Sequence, residues 1–193
     1  MSTKANGIVL RSALAAMVVA NALLLWQNFG MRRELESVRP RSLEVGEGVP
    51  PFKSVGLQGE TIEVGYASGA PRRVLLYFTP TCVFCRQQFP HWKEVLRRAG
   101  PAGFEVLGIA DESEDPEKLR EYLRAMGCGP DSDTPLRVAL VSKKVLSDYK
   151  LSATPATVIV GGGGGVEKVW TGRWSPTERR DAASTFGFEL SAR

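Results

Sequence analysis

Cysteine and histidine are both scarce in this chain of 193 residues, which contains three cysteines and one histidine. Three cysteines are too few for a scaffold held together by disulfides. A zinc site needs four ligands, and besides the pair Cys82 and Cys85 the chain offers only Cys128 and His91. We therefore expect neither a metal nor another cofactor, and we interpret His91 and Cys128 as ordinary structural residues.

The chain also lacks a strong excess of one charge. Its 25 lysines and arginines stand against 21 acidic residues, which gives a formal net charge of +4. No run of basic residues alternates with aromatic residues, so a groove for nucleic acid is not expected. At 43% hydrophobic residues, the length suffices for one domain with a real core and an appendage.

The longest apolar stretch, 8–26, lies near the N-terminus. As a helix these residues would span about 28 Å, close to the thickness of the hydrocarbon layer of a membrane. Ala20-Asn21-Ala22 offers a cleavage site, but the apolar run continues beyond it, which favours an uncleaved anchor. The predicted organisation is a tail at 1–7, a transmembrane anchor or uncleaved signal at 8–29, a linker at 30–49 and a folded domain at 50–193.

Strand and helix patterns alternate through the predicted domain. Two short apolar runs, 52–57 and 61–64, flank Gln58-Gly59-Glu60 and predict a hairpin. A continuous apolar run beginning at Val74 predicts a buried strand. Further strands are predicted at 104–110, 136–141, 156–160 and 166–170, and helices at 85–96, 115–126, 142–149 and 176–186. This succession predicts an α/β sheet covered by helices.

The motif Cys82-Val83-Phe84-Cys85 joins the buried strand to the helix that follows it. With Thr81 as the expected N-cap, Cys82 lies at the helix N-terminus, where free N–H groups and the helix dipole stabilise a thiolate. Cys82 is therefore the predicted nucleophile. Cys85, three residues later on the same side, can attack a mixed disulfide formed at Cys82 and close an intramolecular disulfide. The alternatives for the pair are a static disulfide or half of a zinc site.

Three features together resemble the thioredoxin-fold proteins of the TlpA/ResA type, the membrane-anchored thiol-disulfide oxidoreductases of bacteria. They are the strand leading into the cysteine pair and Pro90, the segment 104–140, and the segment 147–157 with Thr154-Pro155. The resemblance implies a thioredoxin fold, that is, a central mixed sheet flanked by helices, with an N-terminal β-hairpin and 104–140 as a central insertion. It also implies a cis peptide bond before Pro155, packed beside the cysteines.

The resemblance also implies a function and its partners. The domain would exchange disulfides with the cysteines of exported proteins, such as apocytochromes, on the periplasmic side of the membrane. A membrane protein would donate or accept the electrons. We assign substrate binding to four residues around the nucleophile: Thr154, Pro155, Val83 and Phe84.

Several positions depart from the family pattern. The dipeptide between the cysteines lacks a proline, and Thr81 stands where many relatives have tryptophan. Leu76 occupies the place of the buried acid of thioredoxin, and Gln88 stands where ResA-like proteins often carry glutamate. An acid that would accept the proton of Cys85 is therefore missing, so water or the substrate must take that proton.

Two other functions are compatible with the cysteines. Thr79-Pro80-Thr81-Cys82 satisfies the Thr-x-x-Cys pattern of a peroxiredoxin-type thiol peroxidase, although Leu75 stands where the peroxidatic loop would need its proline. The chain could also be a non-enzymatic anchored module in which the pair forms a structural disulfide.

Overall fold

The computed structural model describes residues 14–15, 17–31 and 42–191. Residues 17–31 are helical, and the chain from Ser42 onward forms a separate compact unit. Within the described residues, no helix combines the length and the apolar character needed to span a membrane. The predicted tail at 1–7 lies outside the described residues, as do parts of the predicted anchor and linker.

The compact unit contains seven strands and four helices between residues 42 and 191. The strands are β1 (Phe52–Gly56), β2 (Thr61–Val64), β3 (Arg72–Tyr77), β4 (Phe104–Asp111), β5 (Val138–Val141), β6 (Ala156–Val160) and β7 (Val166–Thr171). The helices are α1 (Val83–Arg98), α2 (Pro116–Ala125), α3 (Lys143–Asp148) and α4 (Pro176–Phe186).

All seven strands join one mixed sheet in the order β2-β1-β5-β4-β3-β6-β7. Strands β3, β4 and β5 are parallel neighbours, and every other pairing is antiparallel. The predicted N-terminal hairpin is β1 and β2, with Phe52 opposite Val64. The segment 104–140 supplies β4, α2 and most of β5, and so adds parallel strands beside β3.

Strand β3 is buried on both faces of the sheet. Val74 and Leu76 pack into the core that contains α1, α2 and α4, whereas Leu75 and Tyr77 pack into the core that contains α3. Successive side chains of a strand point to opposite faces, so two covered faces require a continuous apolar run. The prediction of an α/β sheet covered by helices is confirmed.

The predicted bounds of the strands and helices lie within two residues of the observed ones, and the start of β5 shows a physical reason for such a difference. The pattern predicts a strand from Leu136, but β5 begins at Val138. Leu136 is buried, yet its backbone N–H donates to the carbonyl of Cys128 at 3.0 Å and makes no ladder bond. An apolar residue in the sequence indicates a buried side chain but not a strand, and Leu136 is buried in the loop before β5.

Candidate active site

The cysteine pair lies where the chain leaves β3 and enters α1. Cys82 is the N-cap of α1, and its Sγ accepts a hydrogen bond from the backbone N–H of Cys85 at 3.0 Å. The expectation that Thr81 caps the helix is therefore wrong. A sulfur at Cys82 takes the place of the usual side-chain oxygen, because the residue three positions on presents its free N–H to it.

The two cysteines differ in their exposure. The side chain of Cys85 is fully buried, whereas Cys82 is partly exposed, and all three cysteines of the chain are free thiols. Val83 and Phe84, between the pair, are 64% and 59% exposed. A partner molecule can therefore reach the sulfur of Cys82 and the apolar dipeptide next to it, but it cannot reach Cys85 directly.

The sheet register brings residue 155 to the cysteines. Tyr77 at the end of β3 pairs with Ala156 at the start of β6, so the residues just before β6 lie beside the segment that follows β3. The Thr154-Pro155 peptide bond is cis, as the resemblance implied. The Sγ of Cys82 lies 3.6 Å from the carbonyl oxygen of Thr154, and as a thiol it donates a hydrogen bond there.

The pKa values of the two thiols are shifted in opposite directions, that of Cys82 downward and that of Cys85 upward. Burial alone would raise the pKa of Cys82. Hydrogen bonds from the side chains of Cys85 and Thr154 and from the backbone N–H groups of Cys85 and Phe84 outweigh burial and lower that pKa. Burial, together with the neighbouring Cys82 sulfur, raises the pKa of Cys85 to about 12. Of the two thiols, Cys82 is therefore the one that ionises at the lower pH, which is the property of an attacking thiol.

The lowered pKa predicts how the native protein reacts with iodoacetamide. Alkylation of Cys82 is expected to reach half its maximal rate at a pH below the ordinary thiol value of about 8.5, because only the thiolate reacts. Cys128 is buried like Cys85, and burial raises its pKa, so both should stay unmodified. Mass spectrometry of digests across a pH series measures all three sites. A midpoint for Cys82 at or above that of a free cysteine would contradict the expectation.

A cluster of aromatic rings lies beneath the cysteine pair. Phe78 packs 5.6 Å from Phe89 and 5.9 Å from Tyr122, measured between ring centroids. Trp92 also contacts Phe78 and donates from its Nε1 to the Oγ1 of Thr157 at 2.9 Å. These contacts fix α1 against β6, and with them the cysteines against Thr154-Pro155. The apolar spacing of α1 predicted Phe89 and Trp92 as buried, but no local signal identified Tyr122 as a neighbour.

The positions that depart from the family pattern supply no acid to Cys85. Leu76 is fully buried in the apolar core. Gln88 is also fully buried, and its Oε1 accepts a hydrogen bond from the backbone N–H of Trp174 at 2.9 Å. His91 is buried with its ring stacked on Trp174, and burial lowers its pKa. Among the described residues, no group of three or more His, Cys, Asp or Glu side chains is arranged to hold a metal ion.

The fold and the pair of thiols define a thioredoxin-like α/β protein with a Cys-x-x-Cys motif at the start of a helix. A model described as the AhpC/TSA family matches residues 45–169, which is more than half of the chain. The protein therefore belongs to the AhpC/TSA family. A search of curated proteins finds no match.

Solved structures with similar folds support this class. The thioredoxin domain of a thiol-disulfide oxidoreductase from Bacteroides vulgatus is 15% identical, with a TM-score of 0.58, over 75% of this chain and 99% of that one. A putative protein disulfide isomerase from Bacteroides thetaiotaomicron is 17% identical, with a TM-score of 0.61, over 77% and 91%. A putative thiol:disulfide interchange protein DsbE from Chlorobium tepidum is 20% identical, with a TM-score of 0.58, over 75% and 96%. At these identities the similarity establishes the thioredoxin-like fold.

Proposed function

We propose that this protein is a thiol-disulfide oxidoreductase whose Cys82 and Cys85 exchange a disulfide with cysteines of other proteins. The observation that carries the proposal is the asymmetry of the pair beside residue 154. Cys82 is partly exposed, its pKa is lowered, and its sulfur lies 3.6 Å from the carbonyl oxygen of Thr154. Cys85 is buried about one helical turn further along α1. A nucleophile and a resolving thiol need this arrangement.

In the reducing direction the reaction has two exchanges. The Cys82 thiolate attacks one sulfur of the substrate disulfide, a new sulfur–sulfur bond forms to Cys82, and the other substrate sulfur leaves as a thiolate. Cys85 then loses its proton to that leaving thiolate or to water, and its sulfur attacks the Sγ of Cys82. The mixed disulfide breaks and releases the second substrate thiol. The substrate gains two electrons and two protons, and the protein is left with the Cys82–Cys85 disulfide.

Four residues surround the sulfur that receives the substrate. The backbone of Thr154 lies beside the sulfur of Cys82 and would offer hydrogen-bonding groups to an extended substrate segment. Val83 and Phe84 offer exposed apolar surface within the motif itself. Together they suit a polypeptide substrate, whose backbone can pair with Thr154 while a cysteine side chain reaches Cys82.

We further propose that the domain works outside the cytoplasm, tethered by the apolar segment 8–29. The length of that segment and the resemblance to TlpA/ResA-type proteins support this placement. The substrates would then be exported proteins, apocytochrome c among them, and a membrane protein would donate or accept electrons. Fusion of alkaline phosphatase after residue 193 tests the placement, because this reporter is active only when it is exported.

Replacing Cys85 with serine tests the exchange reaction itself. The variant should accumulate a mixed disulfide between Cys82 and a substrate protein, because the serine hydroxyl cannot displace it. Non-reducing electrophoresis of the full chain expressed in its native membrane, followed by mass spectrometry, identifies the bound protein. The double variant Cys82→Ser/Cys85→Ser is the matched control and should trap nothing. If Cys85→Ser traps no protein that the control lacks, the proposed exchange is wrong.

A thiol peroxidase is the second candidate, favoured by the Thr-x-x-Cys pattern at 79–82 and by membership of the AhpC/TSA family. In this reaction a Cys82 thiolate would attack a peroxide oxygen, form a sulfenic acid and release water or an alcohol. The same Cys85→Ser variant separates the two functions. Rapid peroxide consumption that persists in Cys85→Ser with an added thiol, combined with no reduction of insulin by the native protein, would favour the peroxidase.

A further inference from the structure

A cavity of about 430 Å³ opens beside the cysteine pair. Its volume falls in the range of about 300 to 1,000 Å³ that is typical of small-ligand pockets. Eight residues line it: Pro80, Thr81, Arg86, Lys118, Glu121, Tyr122, Ala125 and Met126. None of these belongs to the four residues around Cys82 described above.

One wall of the cavity is part of the active-site segment. Pro80 and Thr81 directly precede Cys82, and Arg86 directly follows Cys85 in the chain. The two residues before Cys82 in the chain therefore form part of the cavity wall. The cavity is thus bordered by residues on both sides of the cysteine pair in the chain.

The other wall is one face of α2 and the residue after it. The Tyr122 ring is held in place, because it stacks on Phe78 with an angle of 22° between the planes. Tyr122, Ala125 and Met126 present apolar surface, to which Pro80 adds its ring. Of the charged side chains that line the cavity, Arg86 and Lys118 are basic and Glu121 is acidic, and they stand around this apolar wall.

We propose that this cavity binds an apolar side chain, preferentially an aromatic one, that lies within two residues of the reactive cysteine of a polypeptide substrate. An extended chain advances about 3.3 Å per residue, so only near neighbours of that cysteine can reach a cavity bordered by residues 80 and 81. The exposed Val83 and Phe84 continue the apolar surface around Cys82. This inference rests on the proposed exchange function and names the sequence preference of that reaction.

A set of short peptides measures the preference. Each peptide carries one cysteine as a mixed disulfide with methanethiol, which is too small to occupy the cavity itself. Phenylalanine is placed at one of the two positions before or after the cysteine, and the matched peptide has serine there. The second-order rate constant for reaction with the fully reduced protein is measured by chromatography of the released peptide thiol. The phenylalanine peptide should react about tenfold faster at one or more of these positions.

Filling the cavity should abolish that preference. Ala125 is exposed on α2 at the cavity wall, so Ala125→Trp places a large ring there without opening the core. In this variant the ratio of the two rate constants should fall to about one. Ser184→Trp, at an exposed position of α4 that does not line the cavity, is the control and should keep the native ratio. Circular dichroism verifies that both variants are folded.

The outcomes separate this inference from the function on which it rests. If the reduced protein reacts with no peptide, the exchange function fails and the inference fails with it. If the protein reacts with both peptides of every pair at equal rates, exchange stands and the cavity does not select the substrate. A preference that Ala125→Trp leaves at its native value would also overturn the assignment, because the selection would then arise elsewhere.

Discussion

Replacing Cys82 with serine is expected to lower the rate of insulin disulfide reduction by at least about three orders of magnitude, the scale on which loss of a nucleophile acts in other enzymes. The loss should be this large because no other thiol can substitute. Cys85 is fully buried with its pKa raised to about 12, and Cys128 is fully buried in the core. The measurement is turbidity of reduced insulin with dithiothreitol as the electron source.

The control for this prediction is Cys128→Ala. It removes a thiol that hydrogen-bonds only weakly, with its Sγ 3.8 Å from the carbonyl oxygen of Met126, and that lies outside the exchange pair. This variant should keep the native rate per folded molecule. If activity survived in Cys82→Ser and disappeared in Cys128→Ala, the prediction would be wrong, because Cys128 and not Cys82 would then be the reactive cysteine.

Replacing Phe78 with alanine is expected to lower the free energy of unfolding by about 3 to 5 kcal/mol, the usual cost of deleting a buried phenylalanine. Phe78 is fully buried and contacts the rings of Phe89, Trp92 and Tyr122. The surrounding rings belong to two helices that are each anchored elsewhere, so they cannot close over the space. Urea unfolding followed by tryptophan fluorescence measures the change in midpoint and slope.

Phe188→Ala provides the matched comparison. Phe188 is only partly buried, and it stacks on Phe186 at 5.5 Å near the end of the described chain. Its removal should cost clearly less than removal of Phe78, since part of the ring already faces water. Equal losses in the two variants would mean that the ring cluster beneath the cysteines does not support the domain as described.

Local patterns predicted much of the fold. The predicted bounds of 61–64, 156–160 and 176–186 coincide with β2, β6 and α4. For α4 the physical reason is a complete N-terminal signal: Ser175 and Glu178 form a capping box around Pro176. Elements of this kind are specified by residues that lie within one turn of each other.

The arrangement in space was less predictable. Strand β5 lies between β1 and β4, although more than eighty residues separate it from β1 in the chain. The cavity joins Pro80 and Thr81 to a helix that begins more than thirty residues later. Such contacts depend on how whole strands and helices pack against one another. They cannot be predicted from the spacing of residues within one segment. By contrast, the closeness of Cys82 and Thr154 could be predicted because a family resemblance supplied it.

The absence of proline between the cysteines affects both the reactivity of Cys82 and the tendency of the dithiol to give up electrons. A proline at position 84 would have no N–H, so the Phe84 amide adds a donor that helps to hold the negative sulfur of Cys82. Each such donor also favours the dithiol over the disulfide, which makes the pair a weaker source of electrons. The same short stretch of backbone thus makes Cys82 a readier nucleophile, and it requires a more strongly oxidising partner to accept the electrons of the pair.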